Sequence, residues 1–150
     1  MEAEVIGIDH VYVTVRSMER SERFYDDLLA RVLGFRKNSP VIGGDPHVHY
    51  FNRHFGFVIR PARAGSGGHD PYSPGLHHFC FRVEDERDVD RVATALRAGG
   101  IEASEPRYYP EYASDYYATF FDDPDGIRLE VTNFRAIRRA RMERWDTEKS

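Results

Sequence analysis

Gly7-Ile8-Asp9-His10-Val11-Tyr12-Val13-Thr14-Val15 is echoed later by Gly75-Leu76-His77-His78-Phe79-Cys80-Phe81-Arg82-Val83. Both stretches alternate with the two-residue period of a half-buried strand. In the first, Val11, Val13 and Val15 share one face and His10, Tyr12 and Thr14 the other. In the second, Phe79, Phe81 and Val83 oppose His78, Cys80 and Arg82. The two histidines keep the same phase, so each points away from the face that packs on helices. An internal repeat of this kind decides the fold and has to be read first.

An amphipathic helical pattern follows each copy. Ser17 suits the N-cap of a helix reaching about Leu33, where Phe24, Leu28 and Val32 form an apolar stripe beside Tyr25 and Leu29, and Gly34 marks the end. The second helix starts near Glu86, with Val89, Val92, Ala93 and Leu96 as its stripe, and stops at Gly99-Gly100. Three strand candidates come after each helix. They lie near residues 35–38, 47–52 and 57–60 in the first half, and near 101–106, 116–121 and 127–132 in the second. Asp122-Asp123-Pro124-Asp125-Gly126 is a strong turn signal between the last two.

The expectation is an α+β chain of two tandem βαβββ modules, 5–62 and 75–134, forming a shared cupped sheet with a metal-containing cavity. The Gly/Ser/Pro-rich stretch 63–74 reads as their linker. The remainder, 135–150, is an arginine-rich tail that could continue as a helix.

Composition narrows the function classes. Of 150 residues, 41% are hydrophobic and 31% charged, the profile of an ordinary folded domain. A net charge of -4 argues against general nucleic-acid binding, which depends on a basic field. No apolar run approaches the roughly 20 residues needed to span a bilayer. The acidic Met1-Glu2-Ala3-Glu4 start lacks an apolar signal core, and the single Cys80 excludes an internal disulfide. Both fit a cytoplasmic protein.

The chemistry-bearing candidates are His10, His78 and Glu130. Two imidazoles in equivalent strand positions and a carboxylate on a late apolar strand form a plausible two-histidine, one-carboxylate face for Fe(II), Mn(II), Zn(II), Ni(II) or Co(II). Overlaying the halves sets His10 against His78 and Gly56 against Gly126, which places Arg60 opposite Glu130. Alternation puts His77 on the face opposite to His78. His47 and His49 share a strand face and read as cavity lining before metal ligands, and His54 and His69 as solvated loop residues. Five tyrosines, Tyr108, Tyr109, Tyr112, Tyr116 and Tyr117, precede the Glu130 hairpin. Packing is their default role, with one or two donating to substrate or moving protons. Cys80 reads as a small buried thiol.

These residues, with the run Phe120-Phe121-Asp122-Asp123-Pro124-Asp125-Gly126-Ile127-Arg128-Leu129-Glu130, resemble the vicinal oxygen chelate superfamily over about residues 5–134. That superfamily includes glyoxalase I, extradiol dioxygenases, fosfomycin-resistance transferases, methylmalonyl-CoA epimerase and bleomycin-resistance proteins. The resemblance implies that His10, His78 and Glu130 hold one divalent metal, that a small substrate chelates it through adjacent oxygens, and that the chain forms a homodimer. Glyoxalase I and the epimerase use a fourth protein ligand where the overlay places Arg60, which cannot ligate a metal. The three-ligand dioxygenases and fosfomycin transferases therefore fit better, and an extradiol-dioxygenase-like enzyme is the favoured expectation. A glyoxalase-like lyase or isomerase, a fosfomycin-type thiol transferase and a metal-free binding protein of the bleomycin-resistance kind are the alternatives. Tyr116, Tyr117 and Arg60 are the catalytic candidates, and Arg60, Tyr12 and Tyr112 the substrate-binding ones.

Overall fold

The computed structural model describes residues 2–147, so Met1 and the tail residues 148–150 lie outside the described residues. The chain divides into two units. One reaches to His69 and includes Asp123–Gly126; the other holds Asp70–Asp122 and the chain from Ile127 onward.

The first unit runs β1 (His10–Val15), α1 (Met18–Tyr25) with a π-helical continuation (Asp26–Val32), β2 (Arg36–Asn38), β3 (Val41–Ile42), β4 (Asp45–Pro46), β5 (Val48–Phe51) and β6 (Gly56–Pro61). Its main sheet has the order β1-β6-β5-β2, with β1 parallel to β6 and the other neighbours antiparallel. Ser17 caps α1 as expected, its Oγ accepting from Arg20 N at 3.2 Å. The first residues follow an α pattern, but from Asp26 the turn widens. Leu33 N bonds Leu28 O at 3.0 Å, a five-residue step, and Phe35 N bonds Leu29 O at 2.8 Å. The wider turn keeps Tyr25, Leu28 and Leu29 fully buried while Phe24 and Val32 are only half-buried. Gly34 then reverses the chain at φ 72°, a left-handed conformation that an L side chain resists.

The second unit runs β7 (His78–Val83), α2 (Glu86–Ala98), β8 (Arg107–Tyr108), β9 (Tyr117–Asp122), β10 (Arg128–Asn133) and α3 (Ala136–Arg144). Its sheet order, β7-β10-β9-β8, repeats that of the first unit: the opening strand lies at an edge, parallel to the closing one. Asp85 caps α2 by accepting from Asp88 N at 3.1 Å. The strand expected at 101–106 is irregular instead. Arg97 on α2 donates to the carbonyls of Ala103 and Ser104 at 3.0 and 2.9 Å, drawing that stretch toward the helix. The two-residue β8 takes the outer position in the sheet.

In both units the apolar face of the alternating strands meets the helix. Val13, Val15, Phe57 and Ile59 pack with Tyr25, Leu28 and Leu29 in the first, and Leu129, Val131 and Phe121 with Val89, Ala93 and Leu96 in the second. Each such side chain removed from water contributes about 1.5–3 kcal/mol. The opposite sheet face carries the polar residues of the repeat, so the alternation itself delivers the histidines to the uncovered side. No helix of the described residues is long and apolar enough to cross a membrane.

Candidate functional site

On the uncovered face of the second unit, the parallel pairing of β7 and β10 sets His78 beside Arg128 and Cys80 beside Glu130. His78 and Glu130 therefore project from one face, two residues apart in register. Glu130 is only 2% exposed. Its carboxylate is met by one hydroxyl: Tyr116 Oη lies 2.5 Å from Oε2 and 3.0 Å from Oε1. No lysine or arginine forms an ion pair with it among the described residues. A buried carboxylate held by a neutral donor is a costly arrangement without a cation. Burial first, and then the hydrogen bond to Glu130, push the Tyr116 hydroxyl well above the ordinary phenol range. Burial and the Glu130 charge likewise drive the Cys80 thiol upward, so it stays protonated.

On the uncovered face of the first unit, the register groups His10 with Gly56, Tyr12 with Val58 and Thr14 with Arg60. His10 is exposed, and Asp9 Oδ1 lies 2.6 Å from its Nδ1, an arrangement that orients the ring. A cleft of about 580 Å³ opens here, lined by His10, Tyr12, His49, Phe51, Phe55 and Val58 among others. Gly56 is required for this geometry: a Cβ there would lie 2.7 Å from His49 Nε2. His47 is 2% exposed, its Nδ1 3.0 Å from the Asp45 carbonyl and its ring edge-on to Tyr12, so it supports the cleft from within.

Several sequence expectations are corrected by these registers. Relative to His10, the place that Glu130 holds relative to His78 belongs to Val58, not Arg60: Gly56 is the partner of His10 as Arg128 is the partner of His78. Val58 has no donor atom, so the residue at that place could not ligate a metal. Arg60 lies one alternation further along and donates to Asp45 Oδ2 at 2.6 Å. His77 precedes β7, where alternation does not govern, and its Nδ1 lies 2.9 Å from that of His78. Tyr117 belongs to the helix-covered face and donates to Asp90 of α2 at 2.7 Å. That bond pushes its hydroxyl up to about 12. Tyr12 and Tyr112 are 47% and 64% exposed, open to a ligand. Sequence reasoning had no signal for the role of Gly56; the pairing of β5 and β6 reveals it.

Among the described residues, no three His, Cys, Asp or Glu side chains gather within reach of one metal ion. The second unit nonetheless offers, on one face, an imidazole and a carboxylate that forms no ion pair among the described residues, donor types that suit a borderline divalent metal.

With fold and geometry established, the chain can be placed. Residues 7–131 match the Glyoxalase/Bleomycin resistance protein/Dioxygenase superfamily, and the chain belongs to it. The uncharacterized protein YaeR of Escherichia coli (strain K12) is 28% identical over 129 residues, covering 83% of this chain and 93% of that protein. A glyoxylase/bleomycin resistance protein/dioxygenase domain from Frankia sp. EAN1pec superposes with a TM-score of 0.72 at 25% identity, over 88% of this chain and 100% of the other. The fosfomycin resistance protein FosX of Listeria monocytogenes, in complex with Mn(II) and sulfate, gives a TM-score of 0.58 at 14% identity over 93% and 99% of the two chains. That last likeness is one of fold.

Proposed function

We propose that the protein is a divalent-metal-dependent enzyme in which His10, His78 and Glu130 hold one metal that adjacent oxygens of a small substrate chelate. The observation that carries this reading is the buried Glu130 carboxylate, which lies on the face of its sheet opposite α2 and forms no ion pair among the described residues. Such a metal, when bound, supplies Lewis-acid stabilisation of negative charge on the substrate oxygens. The chain's own residues then have distinct tasks. His10 is oriented by Asp9, the cleft beside it receives the substrate body, Tyr12 offers a hydroxyl in that cleft, and the exposed Tyr112 is a second substrate-binding candidate. Arg60, poised on the same face with Asp45 as its counter-ion, is the group to meet an anionic substrate oxygen.

Three protein ligands fit an extradiol-dioxygenase-like reaction, opening a catechol ring with Fe(II) and dioxygen, better than a four-ligand lyase. The donorless Val58 supports that preference, while a fosfomycin-type thiol transfer shares the three-ligand requirement. We further infer a cytoplasmic homodimer: the single Cys80 leaves no internal disulfide, and β1 and β7, which carry His10 and His78, are edge strands of their own sheets.

The test is metal analysis joined to a substrate panel. Protein purified without added metal should carry about one divalent ion per chain, lost on alanine substitution of His10, His78 or Glu130. Catechol turnover dependent on Fe(II) and oxygen selects the dioxygenase branch. Full occupancy in all three variants defeats the reading.

A further inference from the structure

We infer that Tyr116 is a positioning residue whose hydroxyl fixes the Glu130 carboxylate for metal binding, and that it is not a proton donor to substrate; the inference rests on the metal reading above. Tyr116 ends the 109–116 segment, which folds back on itself through Tyr109 N to Tyr116 O at 2.8 Å and Tyr116 N to Ala113 O at 3.1 Å. Its ring is clamped on two sides. The Arg135 guanidinium lies 4.4 Å from the ring centroid and the Tyr112 ring 5.2 Å away. The clamped ring aims its hydroxyl at Glu130, closer to Oε2 at 2.5 Å than to Oε1 at 3.0 Å.

A phenol carries one proton, so its short bond commits it to Oε2 and leaves Oε1 the freer oxygen for a cation. The carboxylate is thereby fixed in rotation before any ligand arrives. The single phenol proton is then committed to Glu130 and is not available to a substrate. Partners that orient a ligating side chain in this way typically carry about 10- to 100-fold in metal affinity. Tyr117, the next residue, donates its hydroxyl to the Asp90 carboxylate at 2.7 Å on the opposite side of the sheet, which makes it the natural control.

The experiment measures Mn(II) affinity of metal-free full-length protein by calorimetry and by the electron paramagnetic resonance of free Mn(II). Wild type, Y116F, Y117F and E130A are compared, with circular dichroism verifying the fold of each. The inference expects Y116F to bind about 10- to 100-fold more weakly than wild type, Y117F to match wild type, and E130A to bind weakest of all. Y116F affinity equal to wild type overturns the inference and leaves the metal reading standing. An equal loss in Y117F also overturns it, since loss of either neighbouring hydroxyl would then suffice. Wild type that fails to bind Mn(II), Fe(II) and Zn(II) alike overturns both readings. Should Y116F prove unfolded, Y116W decides the matter, because its indole N–H can donate but, unlike an imidazole, cannot ligate a metal. A side chain that can still donate to Oε2 restores at least part of the affinity under the inference, and an affinity no better than that of E130A overturns it.

Discussion

The Tyr25 hydroxyl donates to Asp123 Oδ2 at 2.8 Å, joining residues 98 positions apart, both almost wholly buried. Asp123 opens the turn that the sequence marks between β9 and β10, yet this turn packs with the first unit. Arg16 N and Arg20 hold Asp125 there, at 3.1 and 3.2 Å. Burial and the Asp123 charge raise the Tyr25 pKa far above the ordinary phenol value, keeping the hydroxyl a donor at any physiological pH. Tyr25→Phe removes the proton that Oδ2 receives and leaves the ring packing in place. We expect a loss of about 1–3 kcal/mol in unfolding free energy, measured by urea titration. A change below about 0.3 kcal/mol would show the bond to be idle.

Tyr50 makes a second hydroxyl bond, partly buried, to Asp26 Oδ1 at 2.9 Å, and burial followed by that bond raises its pKa steeply. The unfolded phenol titrates near pH 10 while the folded one does not, so the unfolded state sheds protons that the native state keeps. This stabilisation is complete below about pH 10 and is lost as pH rises beyond it, by about 1.4 kcal/mol per pH unit for one proton. Tyr50→Phe should therefore lower stability at pH 7 and make its decline above pH 10 shallower. An unchanged slope between pH 10 and 11.5 contradicts the assignment.

Gly56 and His49 allow a test of the cleft without touching a proposed ligand. The clash at 2.7 Å falls on the far end of a flexible side chain, so Gly56→Ala should displace the imidazole rather than the backbone, costing about 1–2 kcal/mol. In a His49→Ala background the same substitution should be nearly neutral, and the double-mutant cycle reports the difference. Equal costs in both backgrounds would mean that the clash is with something other than His49.

Much of this architecture is legible in the sequence because strand alternation and helix caps are local. His10 and His78 fall on the uncovered faces as their phase requires, and Ser17 caps where its hydroxyl predicts. Features set by pairing between distant segments are not legible. The π-helical turn after Tyr25 follows from packing and leaves the apolar spacing looking α-helical. The β3–β4 hairpin is two residues a side, too short for any period to show. Tyr116 and Tyr117 are neighbours of the same type, and only the β9–β10 register reveals that one meets Glu130 and the other Asp90.

The overlay of the two halves erred for the same reason, and its error can be tested. Equating the glycines before β6 and β10 puts Arg60 in the place of Glu130, whereas the strand registers put Val58 there. The two accounts differ in which substitution builds a fourth ligand. Val58 is 5% exposed, so Val58→Glu buries an unpaired carboxylate and should destabilise the metal-free protein by on the order of 3 kcal/mol. Added Mn(II) or Zn(II) should restore that stability, and metal affinity should rise above wild type. Arg60→Glu instead breaks the bond to Asp45 and sets two carboxylates together, with no gain in affinity. Thermal melts with and without metal distinguish the two: tighter binding by R60E than by V58E would return the fourth position to Arg60 and refute the register argument.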